Sequence, residues 1–555
     1  MTIADPPSDT SNETYAPSRE LLDSLPEHAG EHILTLMRVG AFGEALIVAI
    51  ERGDLDLAVD VLRVGWFDLL KDVHRSHVID ALEGLSAAQL MSHPLLAMAL
   101  GLAINGDGFR RSKAVHYFGL AATGVRSLPT RLSPAERALV LASESSALRL
   151  IGKHALSVSS ARAGVKTLDG MREERAALIG YLPRVYSQLG ISLFYGDQED
   201  EALRVFARGY AEAGTSDRSS FGNLSMSAGI HALSGNLAEA REFVLLARGE
   251  PWTDEQRRMY PGTFYRLAEA MLALEDADTT GAQTHLDTME HDRRSIEHWT
   301  AIVRVQGLAR LLGGDPSLGL AELEEYSALR QGDGDPRAVR QRLSSTRSLL
   351  HVALGNYTAA ERILRTDAGK RPQDHVDRAR LALATDRTGE ALKELRSIAG
   401  SPQSARTHLE ALAIEAAAGL RTGRDRRTGA VLQQLIAMMR QTDQRIAIQL
   451  VPPQDALVLA DALTAEGAHD LTRRWAPQPL LAHTDGPQLT GREQAVLNAL
   501  SRSGVLSEIA GELFVSVNTV KSHLKRLYKK LGARNREEAL AAAFHHHLLS
   551  PPVDR

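Results

Sequence analysis

Apolar residues recur at steps of three and four from about residue 19 to about residue 475, in segments rich in Ala, Leu, Arg and Glu. That period stacks them on one face of successive helices, and nowhere is the alternation required by a strand sustained. A short signal separates the helices: an apolar helix end, Gly with Asp or Asn, then a new helix opening on small residues. It stands in AIERGDLDLAVDVL around Gly53, LAINGDGFRRSKAV around Gly106, LRLIGKHALSVSSA around Gly152, LFYGDQEDEALRVF around Gly196 and ALSGNLAEAREFV around Gly235. Further copies are LLGGDPSLGLAEL around Gly314, VALGNYTAAERIL around Gly355 and a degraded LRTGRDRRTGAVL around Gly423. Gly suits a left-handed C-cap, Asp or Asn the next N-cap, and Ala a close helix contact. Steps of roughly 40 residues suit a helix pair with its turns, so the pattern predicts an all-α solenoid of stacked pairs. A one-piece helical bundle is the alternative.

The last part of the chain carries a different pattern. With Ser516 as N-cap, helical spacing stacks Val520, Leu524, Leu527 and Leu531 on one side. Asn518, Lys521, Ser522, Lys525, Arg526 and Lys529 fall on the other. Five cations (Lys521, Lys525, Arg526, Lys529, Lys530) and no acid lie within residues 516–531. Such a helix suits a groove lined by phosphates and base edges. Capping places its neighbours. Thr490 and Glu493 form a T-x-x-E box opening a first helix that buries Val496, Leu497 and Leu500. A second helix runs from about Ser507 to Phe514 and buries Ile509, Ala510 and Leu513. Gly532 ends the third helix, and Asn535 with Glu538 opens a fourth, expected to bury Leu540 and present Ala541 to Ala543. Helix two, the turn at Val515–Val517 and helix three make a helix-turn-helix.

Charge divides the chain in the same place. The net charge is −5, but residues 490–555 hold ten Lys and Arg against six Asp and Glu, a balance of +4 that leaves −9 elsewhere. An acidic body with a small basic module argues for nucleic-acid contact by the module alone. Residues 476–488, APQPLLAHTDGPQ, hold three prolines and read as a linker. The expected organisation is a disordered N-terminus over 1–18, a helical-repeat sensor or interaction domain over 19–475 and the linker. A DNA-binding domain over 489–548 and a tail over 549–555 complete it. The polar N-terminus lacks the pattern of a signal peptide, and the longest apolar stretch, Leu95 to Ile104, is too short to span a bilayer. Cysteine is absent, which excludes disulfides and thiolate metal sites and fits a reducing cytoplasm.

The spacing LTGRE…VL…EIAGELFVSVNTVKSHLKRLYKKLG…R resembles the LuxR/NarL-type DNA-binding domain over about 55 residues without a gap. The resemblance implies a domain that binds double-stranded DNA as a homodimer, its third helix in the major groove and its fourth at the dimer contact. By position it implies Lys521, Ser522 and Lys525 at base edges. It puts Ser516, Asn518 and Thr519 near phosphate at the helix N-terminus, and Lys529 and Lys530 near flanking phosphates. Arg526 shares their face; an ordinary solvated surface is the alternative for each cation. Arg492 and Glu493 are expected to brace the fold, and His523 to border the buried edge. One departure is Ser503-Gly504-Val505 where the family usually has Gly-Leu-Ser, which removes the Ser cap of helix two. Upstream, HILTLMRVGAFGEALIVAIERGDLDLAVDVLRVGWFDLL and HPLLAMALGLAINGDG look like the helical-repeat region of large ATP-dependent LuxR-type activators, the MalT-like family. That resemblance implies a TPR-like (tetratricopeptide-like) solenoid receiving an effector or partner. Nothing matches G-x-x-x-x-G-K-[ST] and no room exists upstream for a nucleotide-binding domain, so ATP-driven assembly is not carried over.

His545–His547 and the pair His285 and His291 are weak as metal ligands, because successive helix residues cannot face one ion and no carboxylate pattern accompanies them. No catalytic motif is present, and no cofactor is expected. A sequence-specific transcriptional regulator, cytoplasmic and associated with the bacterial nucleoid when bound, is the leading expectation. Its array would sense a small molecule or a protein. The competing one is an interaction scaffold whose basic module binds DNA without sequence preference. Among aromatics that could line an effector site are Trp66, Phe109, Tyr117, Tyr181 and Tyr186, none of them singled out.

Overall fold

The computed structural model describes residues 30–549 except 70–74, 107–110, 128–131, 172–181, 213–219, 332–333, 424, 473–488, 490, 514 and 546–547. The expected disordered N-terminus, the linker and all of the tail but Leu549 lie outside those residues. So do Thr490, Phe109, Tyr181, His546 and His547. All regular secondary structure among the described residues is helical, an all-α architecture of repeating helix pairs followed by a small four-helix module.

One turn builds most of the pairs. At Gly53 the backbone enters the left-handed region with φ of 69°. Its N–H bonds the Ile50 carbonyl at 2.9 Å, and the Asp54 N–H bonds the Ala49 carbonyl at 3.2 Å. Both orphan carbonyls of the ending helix are thereby satisfied, and the next residue is already the N-cap of the following helix. The same two bonds recur with Gly152, Gly235, Gly314 and Gly355 at the left-handed position, as the sequence pattern predicts. They recur also where that pattern is silent, at Gly40, Ala277, Asp386 and Gly467. Around Gly196 the residue in the left-handed region is Asp197, with φ of 60°. Gly196 serves a different need, since a Cβ there would collide with Val158.

Five residues beyond the left-handed position a small side chain is buried in nearly every pair: Ala58, Ser157, Ala202, Ala240, Ala282, Ala360 and Ala391. Gly319 occupies the place after Gly314, where an added Cβ would lie 2.9 Å from the Arg310 Cβ. Small residues there let the second helix of a pair close onto the first. The degraded copy at Gly423 differs. With φ of 114° it ends helix Ala405–Thr422, and Asp425 caps helix Arg426–Thr442 by accepting the Thr428 N–H at 2.7 Å.

The chain forms two compact units, Met1–Leu224 and Ser225–Arg555. In the first, helices Pro134–Leu150 and His154–Gly170 pair about Gly152, and Leu182–Tyr195 and Glu199–Ala211 about Asp197. A buried polar seam ties these pairs: Arg149 donates to Ser192 at 2.6 Å and to the Gln188 carbonyl at 3.2 Å. Trp66, Tyr117 and Tyr186 are buried in this unit and act as core.

Within the second unit the array returns on itself. The Glu275 carboxylate, wholly buried, accepts from Arg406 at 2.9 Å and from the backbone N–H groups of Arg445 and Ile446 at 2.6 and 3.0 Å. Arg406 also donates to the carbonyls of Ala232 and Leu233 at 3.0 Å each. A second buried knot joins Arg380 to Asp377 at 2.6 Å, to Glu410 at 2.5 Å and to the Leu450 carbonyl at 2.9 Å. The His285 ring Nδ1 donates to the Glu269 carboxylate at 3.2 Å. Among the described residues no group of three or more His, Cys, Asp and Glu is placed to hold a metal. None of their helices is long and apolar enough to cross a membrane.

Candidate nucleic-acid interface

Four helices make the C-terminal module: Gly491–Arg502, Leu506–Glu512, Val517–Leu531 and Arg536–His545. The third carries the chemistry, and its ends are fixed by local chemistry. The Ser516 Oγ accepts the Thr519 N–H at 3.1 Å and lies 2.8 Å from the Thr519 hydroxyl. At the other end Gly532 sits in the left-handed region with φ of 66°, and the Ala533 N–H reaches the Tyr528 carbonyl at 2.9 Å. Left-handed backbone is open to Gly without the Cβ penalty, so the helix stops where the sequence places it.

Val520, Leu524, Leu527 and Leu531 are all buried, against Val496, Leu497 and Leu500 of the first helix and Ile509 and Ala510 of the second. Ala539 and Ala543 of the fourth helix complete this core, whereas Leu540 is half-buried. The expectation that Leu540 is the buried residue is therefore corrected: the fourth helix turns its alanine edge inward, because two methyl groups one turn apart permit a closer approach. Only Ala541 of the run Ala541–Ala543 is exposed. Helix two begins at Leu506 with Val505 as an uncapped N-cap, in keeping with the lost Ser, and Leu513 is half-buried. Asn535 caps the fourth helix by accepting the Glu538 N–H at 2.8 Å, and Glu538 returns to the Arg534 N–H at 2.8 Å. Arg536 staples it to the Leu500 carbonyl at 3.0 Å.

The face opposite that core is open. Asn518, Lys521, Ser522, Lys525, Arg526 and Lys529 are exposed, Thr519 is half-buried beneath the cap, and His523 is half-buried at the edge. Among the described residues Lys521, Lys525, Arg526 and Lys529 meet no carboxylate. Lys530 parts from them: its ammonium donates to Glu493 at 2.7 Å, and that carboxylate is only 4% exposed. Lys530 thus braces the third helix against the first. Glu493 is part of the brace expected of it, while Arg492 is exposed and makes no such contact. The hydroxyls of Ser516 and Thr519 are committed to the helix cap. Two exposed aliphatics that helical patterning did not single out, Val515 and Val517, flank Ser516. Burial pushes the Tyr528 phenol up, opposed in part by Arg536.

A short helix, a tight turn and a longer basic helix on a shared core define a helix-turn-helix module. Residues 487–543 match the family described as bacterial regulatory proteins, luxR family. Similar proteins include the probable transcriptional regulatory protein NarL of Mycobacterium tuberculosis (strain ATCC 25618 / H37Rv), 38% identical over 92 residues, 17% of this chain and 39% of that one. The probable transcriptional regulatory protein SgaR of Hyphomicrobium methylovorum is 38% identical over 92 residues, 17% of this chain and 43% of its own. The CsgBAC operon transcriptional regulatory protein of Escherichia coli (strain K12) is 45% identical over 60 residues, 11% of this chain and 28% of its own. The chain thus spans less than half the length of these relatives. Its C-terminal module is a LuxR/NarL-type helix-turn-helix domain, and an all-helical repeat region precedes it.

Proposed function

We propose that this protein is a sequence-specific DNA-binding transcriptional regulator, without catalysis or cofactor, acting in the bacterial cytoplasm. The module, taken as residues 489–548, binds double-stranded DNA as a homodimer and lays helix Val517–Leu531 in the major groove. Lys521, Ser522 and Lys525 reach base edges, while Asn518, Arg526 and Lys529 meet phosphates; Ser516 offers its backbone N–H at the helix N-terminus, and Thr519, its own N–H held by the cap, lies beside it. Lys530 is a lesser contributor on this proposal, since it already serves Glu493. The observation that carries the reading is the set of four cations held on a core-anchored helix with no acid beside them. Desolvating and closing such a face needs an anionic partner, and a duplex supplies one at the right width.

The repeat region, residues 19–475, is proposed as a TPR-like array that receives a small molecule or a protein. It resembles the MalT-like repeats. Support comes from the recurring left-handed turn with its buried small residue, a unit repeated along the chain as in stacked helix-pair arrays. Presenting the full chain with a random duplex pool and footprinting the recovered fragments tests the function. An inverted repeat with half-sites about one helical turn apart and a bounded protection is expected. Diffuse, salt-erased binding would favour a scaffold that merely concentrates on DNA.

A further inference from the structure

We propose that Val517 determines sequence specificity by packing on the 5-methyl group of thymine at the leading end of the basic helix. The inference rests on the DNA-reading function proposed above. Val517 is the first residue of helix Val517–Leu531 and is 37% exposed, as is Val515 two residues earlier. Residues four apart share a ridge on a helix, so Val517, Lys521, Lys525 and Lys529 form one row. Its three other members are exposed lysines. The core under the helix is filled by Val520, Leu524, Leu527 and Leu531, and Val517 is not among those buried residues. The local chemistry also disfavours it: the first turn of a helix welcomes an acid or a small polar residue, and a β-branched group there gains nothing from the backbone.

Val517, more than a third exposed at the head of a lysine ridge, is therefore not accounted for by the core beneath the helix. It is explained by what the ridge faces. Among base-pair edges in the major groove, the apolar group is the thymine methyl. In helix-turn-helix docking the N-terminal residues of the second helix are those that reach base edges. That geometry brings Val517 to the groove floor, while Lys529, three turns along, stays at backbone height. An aliphatic side chain there discriminates thymine from cytosine by contact with a methyl that cytosine lacks. Lysines along the same ridge supply affinity and polar readout.

The experiment uses the full chain and duplexes recovered from a random pool. Each thymine of a recovered duplex is replaced in turn by deoxyuridine, which removes only the methyl. Burying one methyl is worth about fourfold in affinity. Wild-type protein is expected to weaken by about fourfold at one thymine position in each half-site. Val517→Ala is expected to bind the parent duplex more weakly and to be indifferent to deoxyuridine at that position, with Val517→Ile restoring the sensitivity. The inference is overturned if the wild type tolerates deoxyuridine at every position, or if Val517→Ala keeps the same sensitivity. Enrichment of defined duplexes without a methyl effect overturns this inference alone. Failure to enrich any duplex overturns the DNA-reading function and the inference with it.

Discussion

The second half of the repeat array and the C-terminal module handle positive charge in opposite ways. In the array arginines are closed off by acids. Arg380 is held between Asp377 and Glu410, Arg421 lies 2.6 Å from Asp455, Arg266 lies 2.6 Å from Asp292, and Arg406 meets buried Glu275. On helix Val517–Leu531 four cations stand exposed without an acid, and a fifth, Lys530, is paired inward. The difference separates two uses of one side-chain chemistry. A buried, hydrogen-bonded ion pair fixes which helices meet, and losing one partner leaves a charge stranded in a poor dielectric. An exposed cation contributes little to folding and is available to a phosphate.

The largest way to break that contrast lies in the array. Replacing Arg380 with Leu leaves Asp377 and Glu410 buried and unpaired, and burial already pushes the Asp377 carboxyl up. A loss of about 3–5 kcal/mol in the unfolding free energy of the array is expected, read by chemical denaturation. Removing an open cation should do the reverse. Lys525→Ala should cost about 1–3 kcal/mol of specific binding if it reads a base, with the denaturation midpoint unmoved. An unchanged gel-shift affinity and sequence preference would remove Lys525 from the contact set.

A proton sharpens the same point. Burial holds the His351 imidazole down to about 4, with Arg347 and Arg362 adding to the effect, against an ordinary value of 6.5. The unfolded chain takes up a proton in that range and the folded array refuses it, so the unfolded state binds more protons. Stability is therefore full above pH 6.5 and is lost as pH falls toward 4. The expected loss is about 3 kcal/mol, and His351→Gln should flatten this part of the denaturation profile. An identical profile in the variant would assign the acid sensitivity elsewhere.

How much of this was legible in the sequence depends on the range of the interaction. Gly53, Gly152, Gly235, Gly314 and Gly355 announce their turns because a left-handed residue is usually glycine. Ala277 and Asp386 make the same turn without that signal, and the trace they leave is the buried Ala five residues on, at Ala282 and Ala391. The ends of the basic helix were legible for the same local reason, through Ser516 and Gly532, and its buried edge through periodicity. The knot of Glu275 with Arg406 and Arg445 joins residues more than 130 positions apart, which no local pattern encodes. Nor does spacing show that Lys530 reaches back 37 residues to Glu493 while its neighbour Lys529 does not. Leu540 misled because size suggested burial, whereas the close approach of two helices selected Ala539 and Ala543.

Those two adjacent lysines offer the most direct test of partnered against open charge. Binding of the full chain to a recovered duplex is measured across a salt series for Lys529→Ala and Lys530→Ala, with the melting midpoint of each. Lys529→Ala is predicted to reduce the slope of log affinity against log salt by about one unit and leave melting unchanged. Lys530→Ala is predicted to lower the melting of the module, by about 1 kcal/mol for a half-exposed pair with a buried acid, and to leave the slope nearly intact. Equal slopes and equal melting in the two variants would contradict the account.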